Sequence, residues 1–160
     1  EEAFHPTLSC LSKEYVYRIV HNGGFLPQDR FYSWQLECLL DILKMQAGAL
    51  KMMEYQNFRS FENRRKSEPR ENPNCKLSKF LITPLKNELL ITIQGDRFLY
   101  KMVRNLVGTL VAIGKGEISL ESLDLIFDKE DRVEAGVAAP ACGLSLNSVH
   151  YPKKIKVFAS

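Results

Sequence analysis

From Lys13 to Val20 the chain alternates, with Tyr15, Tyr17 and Ile19 on one face and Val16, Arg18 and Val20 on the other. Period-two alternation among aromatic and β-branched residues predicts a strand. The stretch HNGGFLPQD then breaks the pattern: Asn22, Gly23 and Gly24 suit a turn and Pro27 a stop. From Trp34 onward, Leu36, Leu39, Leu40, Leu43, Ala47 and Leu50 recur at three- and four-residue spacing. That spacing predicts a helix of about four turns, weakened at its far end by Gly48.

Asn57 to Lys79 is polar and punctuated by Pro69 and Pro73, so it reads as a long exposed loop. LSKFLITPLKNELLITIQ predicts two strands around a Lys86-Asn87 turn, with Leu89, Ile91 and Ile93 facing one way. Phe98 to Gly116 predicts a second helix, apolar on most of its circumference. Ile118 to Phe127 predicts a short third helix that Ser119 would cap. Leu144 to Tyr151 closes as a strand whose alternation slips once. The order strand, helix, hairpin, helix, helix, strand predicts an α+β fold, a mixed or antiparallel sheet with helices on one face.

Composition narrows this further. With 160 residues, 45% of them hydrophobic, residues 1–160 are expected to form a single domain. No stretch is apolar for long enough to span a membrane, and EEAFHPTLSC lacks the basic-then-apolar start of a secretory signal. The expectation is a soluble intracellular protein, cytoplasmic or organellar, with something preceding Glu1 in the gene. Cys10, Cys38, Cys75 and Cys142 lie far apart and form no CxxC pair, which favours reduced thiols over a zinc site or disulfides. A net charge of +3 permits an anionic partner without demanding one.

One polar group is oddly placed. On the second predicted helix, Lys101, Arg104, Asn105 and Gly108 share a narrow arc, with Arg104 at its edge beside the apolar stripe. Two readings stay open. The strip is simply solvated, or the arginine stem lies on packed surface so that its guanidinium can fork onto a carboxylate or phosphate, with Gly108 removing bulk beside it. Tyr15 and Tyr17 are likewise either core aromatics or platforms for an unpaired base. Arg59, Arg64, Arg65, Lys66 and Arg70 are diluted by Glu62, Glu68 and Glu71, which favours a solvated loop over an RNA-phosphate patch. His5, His21 and His150 are scattered, no serine or cysteine has a visible paired base, and no phosphate-cradling glycine loop occurs. Hydrolase and nucleotide-dependent chemistry therefore find no support.

Four stretches, FHPTLSCLSKEYVYRIV, AGALKMMEYQNFRSF, FLYKMVRNLVGTLVAIGKG and APACGLSLNSVHYP, follow one another along nearly the whole chain. In content and order they resemble the motifs of the tRNA pseudouridine synthase A (TruA) family. The resemblance implies half of the pseudouridine synthase fold and an isomerase that turns uridine into pseudouridine in the tRNA anticodon arm without a cofactor or metal. It also implies that a homodimer is possible. By motif, Arg104 matches the arginine that pairs with the catalytic aspartate. Tyr15 matches the tyrosine that stacks on the target base, and Leu144 the apolar side chain packed under it. Lys13 and Lys101 become candidates for contacting the RNA. A buried guanidinium would keep a carboxylate ionised, and an aromatic and an aliphatic wall would hold an extruded base.

This chain departs from the family's pattern in one respect that bears on activity. The Gly-Arg-Thr-Asp-Ala type element that carries the nucleophile is absent, and Asp29, Asp41, Asp96, Asp124, Asp128 and Asp131 stand in other contexts. The chain is accordingly expected to be the C-terminal half of the catalytic region, inactive alone. Glu14, Val16 and the loop from Glu62 to Asn74 are also less basic than the family's pattern. Two other classes remain in play: a non-catalytic RNA-binding or scaffold protein that has lost the nucleophile, and a dimerisation domain using its apolar helix faces.

Overall fold

A computed structural model describes residues 10–23, 27–63 and 72–152. Five strands form one mixed sheet: β1 (Ser12–His21), β2 (Trp34–Leu36), β3 (Leu77–Pro84), β4 (Glu88–Gly95) and β5 (Leu144–His150). Three helices accompany them, α1 (Ile42–Met52), α2 (Met102–Gly114) and α3 (Ser122–Lys129). The architecture is α+β, as the element order predicts.

β1 is the hub of the sheet. Along one side it runs antiparallel to β4, which pairs in turn with β3. Its other side is divided: Ser12–Tyr17 pair with β5, and Ile19–His21 pair in parallel with β2. Period-two alternation sends Tyr17 and Ile19 into the core together with Leu89, Ile91 and Ile93 of β4, all without solvent exposure. Against this face pack Met102, Leu106 and Leu110 of α2, followed by Met45, Ala49 and Met52 of α1. Burying each large apolar side chain stabilises the fold by about 1.5–3 kcal/mol, so α2, apolar on nearly every side, is the chief anchor of the helical layer. Its C-terminus closes by a Schellman motif: Gly116 at φ 77° turns the chain while Glu117 N–H donates to the Ala112 carbonyl (2.9 Å) and Gly116 N–H to that of Ile113 (2.9 Å).

The first predicted helix needs correction. Trp34–Leu36 is a strand, because the backbone there completes the otherwise open edge of β1, and the helix begins only at Ile42. Asp41 caps that start by accepting from Lys44 N–H (3.0 Å). The buried face is also different. Leu43 and Leu50 of the predicted stripe are 78% and 64% exposed, whereas Met45, Gly48, Ala49 and Met52 face inward. Gly48 is the reason: a Cβ there would meet Leu110 Cδ2 at 3.1 Å and Ile113 Cδ1 at 3.2 Å, so the missing side chain lets α1 lie close on α2.

The predicted loop from Asn57 to Lys79 is structured at both ends. Phe58 and Phe61 are fully buried around a short 3-10 turn (Arg59–Phe61) and pack on Phe127 of α3. At the other end β3 begins at Leu77. Arg59 pairs with Glu62 (2.7 Å), while Arg64, Arg65, Lys66 and Arg70 lie outside the described residues, as does His5. The β3–β4 hairpin turns around Lys86 and Asn87 as expected. α3 starts a little later than predicted, with Ser119 Oγ accepting from Ser122 N–H (3.2 Å). The slip in the last strand is a β-bulge between β1 and β5. Among the described residues, no helix is long and apolar enough to cross a membrane.

The sheet's other face is held by charge. Arg18 forks onto both carboxylate oxygens of Glu88 (2.9 and 2.6 Å) and reaches Asp29 (2.9 Å). Glu14, buried, accepts from Lys79 Nζ (2.6 Å) and Asn147 Nδ2 (2.7 Å). The hydrogen bond from Lys79, then that from Asn147, holds the Glu14 carboxyl below the usual range; Arg18 does the same for Glu88. A depressed folded-state value means stability present above the unfolded value and lost as pH falls through the folded one. Thermal unfolding should therefore show Tm declining as pH drops below about 4.5. Glu14→Gln should flatten part of that decline, and an unchanged acid limb in the variant would contradict the assignment.

Candidate active site

Between α3 and β5 the chain runs back across α2, and this return segment, residues 135–143, builds the site. It passes so close to the helix that a Cβ on Gly108 would lie 1.7 Å from the Val137 carbonyl oxygen, and one on Gly136 would lie 2.8 Å from Thr109 Cα. Both positions therefore require glycine for close backbone approach. Thr109 Oγ1 accepts from Gly136 N–H (2.9 Å), fixing the start of the segment. Gly108 thus clears space for this backbone rather than beside the Arg104 guanidinium.

Arg104, in the first turn of α2, clamps the same segment twice. Its carbonyl accepts from Ala139 N–H (3.0 Å), and its Nε donates to the Ala139 carbonyl (2.6 Å). The next carbonyl, Pro140, accepts from the Tyr17 hydroxyl (2.6 Å). Gly143 then lies against the Tyr17 ring, where a Cβ would approach within 2.7 Å. Arg104 and Tyr17 are thus linked through adjacent carbonyls. Burial pushes the Tyr17 phenol far above its usual range, with Cys142 adding to the rise and the Arg104 charge opposing it. Tyr17 is a buried clamp. Tyr15, two residues earlier on the same face, is half-buried and meets the edge of Phe98 (5.2 Å, 90°); burial raises its phenol as well.

Leu144 opens β5 opposite Tyr17 and packs partly on the core. Lys13 occupies the same face of β1 as Tyr15 and pairs with Gly95 and Val149. Leu144 thus lies opposite Tyr17, Lys13 lies two residues before Tyr15 on the same face of β1, and Arg104 is tied to Tyr17 through the adjacent Ala139 and Pro140 carbonyls. Lys101 stands apart, just before α2, in a left-handed conformation (φ 59°) with its ammonium 5.3 Å from the Tyr100 ring. Among the described residues, Arg104 has no carboxylate partner, and its terminal nitrogens make no hydrogen bond. No three His, Cys, Asp or Glu side chains among those residues converge on a metal position.

Sequence reasoning misses a second network behind Arg104. Asn105, fully buried although its arc reads as solvated, donates to the Phe61 carbonyl (2.6 Å) and Asn63 Oδ1 (2.7 Å) and accepts from Arg132 Nη2 (2.9 Å). Arg132 also donates to Asn63 Oδ1 (3.2 Å) and the Ala135 carbonyl (3.3 Å). All these acceptors are neutral, and burial lowers the Arg132 pKa from its usual value. The network ties the start of α2, beside Arg104, to Phe61 and Asn63 and, through Arg132, to the Ala135 carbonyl at the head of the return segment. A lone Asn inside an apolar helix is the signal that could have revealed it, since a buried amide must find partners.

The mixed five-stranded sheet with its three helices is the α+β architecture expected from the element order. The tRNA pseudouridine synthase family model matches residues 55–152, and the chain belongs to that family. It is 40% identical over 149 residues to tRNA pseudouridine synthase A 2 of Protochlamydia amoebophila, an overlap covering 92% of this chain and 57% of that protein. With tRNA pseudouridine synthase A of Paramagnetospirillum magneticum the identity is 33% over 152 residues (94% and 58%). With that of Chlamydia muridarum it is 35% over 153 residues (94% and 56%). The chain thus spans somewhat more than half the length of these relatives.

Because the return segment seats on bare backbone at Gly108, Gly108→Ala should destabilise the protein by about 1–3 kcal/mol despite the better helix propensity of alanine. Urea unfolding measures this, and wild-type stability in the variant would mean that the segment does not sit on the helix as described.

Proposed function

We propose that this chain is the C-terminal part of a tRNA pseudouridine synthase that isomerises uridine in the anticodon arm, and that it acts only together with an aspartate supplied by the rest of the protein. The observation that carries this is the state of Arg104. Its Nε is fixed by the Ala139 carbonyl, and its two terminal nitrogens have no hydrogen-bond partner among the described residues. A guanidinium so held is suited to a carboxylate, which it would keep ionised and oriented for attack.

In this reaction the bond from ribose C1′ to uracil N1 breaks with its electron pair going to N1, the base turns within the site, a bond from C1′ to C5 forms, the C5 proton is lost to a base, and N1 takes up a proton. Tyr15 would stack on the extruded base, Leu144 would pack under it, and Lys13 and Lys101 would contact the RNA. The protein would work on tRNA in the cytoplasm or an organelle, and a homodimer fits the family resemblance. The chemistry asks only for bonding within the substrate, a nucleophile, a proton acceptor for C5 and a proton donor for N1, so no cofactor is assigned.

The test is tritium release from tRNA carrying uridine labelled at C5. The complete gene product is expected to release it, and the 160-residue chain is not. Release by the short chain would place the nucleophile among its own carboxylates; release by neither would favour a non-catalytic RNA-binding protein. In the complete protein, Arg104→Ala should lower turnover by at least ~100-fold while tRNA affinity stays within about twofold. Near-normal turnover in that variant would remove the assigned role.

A further inference from the structure

Arg104, Tyr15 and Leu144 leave one apolar residue at the site unexplained. Leu146 lies directly opposite Tyr15 in the β1–β5 ladder, whereas Leu144 lies opposite Tyr17. Directly opposed residues of an antiparallel pair carry their side chains on the same face, close together. Tyr17 is sealed in the core, so Leu144 belongs as much to packing as to any ligand. Leu146, by contrast, is 53% exposed beside the half-buried Tyr15 ring.

The ladder also shows what holds Leu146 there. The register shifts between Glu14 and Tyr15, leaving Asn147 as the extra residue of β5. Bulges of this kind re-aim neighbouring side chains. Here Asn147 Nδ2 donates to Glu14 Oε1 (2.7 Å), while Lys79 Nζ holds Oε2 (2.6 Å). A carboxylate bound by two donors and largely removed from solvent fixes the bulge from the opposite face of the sheet. This gives a role to Glu14, one of the positions at which the chain departs from the family's basic pattern.

Resting on the proposed function, we propose that Leu146 is a further nucleobase-contacting residue, forming with Tyr15 an aromatic–aliphatic slot whose geometry the Glu14–Asn147 clasp at the bulge sets. Its occupant is a planar pyrimidine base out of its stack, which would cover both the exposed leucine and the free part of the tyrosine face.

The experiment uses the complete gene product with Leu146→Ala, Leu146→Met and, as a control, Leu81→Ala, a β3 leucine of equal exposure on the opposite face. Single-turnover tritium release should fall on the order of tenfold in Leu146→Ala, recover to within about twofold in Leu146→Met, and stay at wild type in Leu81→Ala, with Tm unchanged throughout. Near-ultraviolet crosslinking to tRNA transcribed with 4-thiouridine provides a second measurement that needs no turnover; adducts should map to the peptide containing Leu144 and Leu146. A wild-type rate in Leu146→Ala, or a fall matched by a loss of Tm that methionine does not restore, would make Leu146 a packing residue instead. Crosslinks confined to peptides that contain neither Tyr15 nor Leu146 would overturn the slot whatever the activity. Crosslinks at β5 in a wild-type protein that releases no tritium would sustain the slot while removing the isomerase assignment.

Discussion

The seating of the return segment on α2 is the contact on which the site depends. With no Cβ at Gly108, the Val137 carbonyl occupies the space beside the helix, and only at that distance can Ala139 exchange two hydrogen bonds with Arg104. One residue further, Pro140 takes the Tyr17 hydroxyl, and three residues after that Gly143 lies on the Tyr17 ring. The position of the guanidinium, the entry of β5 and the placement of Leu144 and Leu146 all follow from that approach. A shift of the segment by a side-chain width would displace all of them together.

Three arginines in this chain meet three electrostatic fates. Arg18 is neutralised by Glu88 and Asp29 on the outer face of the sheet and contributes to its stability. Arg132 is drawn among neutral oxygens, where burial lowers its pKa and one donor on each of its three nitrogens forms a bracket between Asn63, Asn105 and Ala135. Arg104 is fixed through Nε alone. The same side chain is thus a stabilising ion pair, a structural bracket or a candidate catalytic group according to how many of its donors the fold consumes. Only the last arrangement leaves a planar fork for another carboxylate, which a lysine at that position would not offer.

Much of the framework was legible because local pattern and tertiary burial agree. Alternation in β4 survives intact, since one of its faces meets the core, while in β1 Tyr17 and Ile19 keep the pattern and Val20 is buried from the other face as well. The hairpin follows from Lys86 and Asn87, and the slip in the last strand is the physical trace of the bulge. The leucines after Trp34 misled for the opposite reason. Their spacing is helical, yet Leu36 lies in a strand and Leu43 and Leu50 point outward, because helix packing follows the small side chain of Gly48 rather than the greatest hydrophobicity. Phe58 and Phe61, set among charged residues, likewise looked like loop and proved to be core.

By itself, the sequence determined the elements whose side chains alternate or repeat against a single buried face, the apolar character of α2, and the motifs that carry family membership. It also singled out Arg104, Tyr15 and Leu144. Which polar atoms of α2 meet solvent and which meet protein was decided only by the tertiary structure: Asn105 and Gly108 share the arc of Arg104, and the fold buries both under segments distant in the chain, Phe61 for Asn105 and Val137 for Gly108. Periodicity describes one helix relative to its own axis, whereas burial depends on what the rest of the chain lays over it. The site is made of such overlays, so its geometry could not be read before the fold.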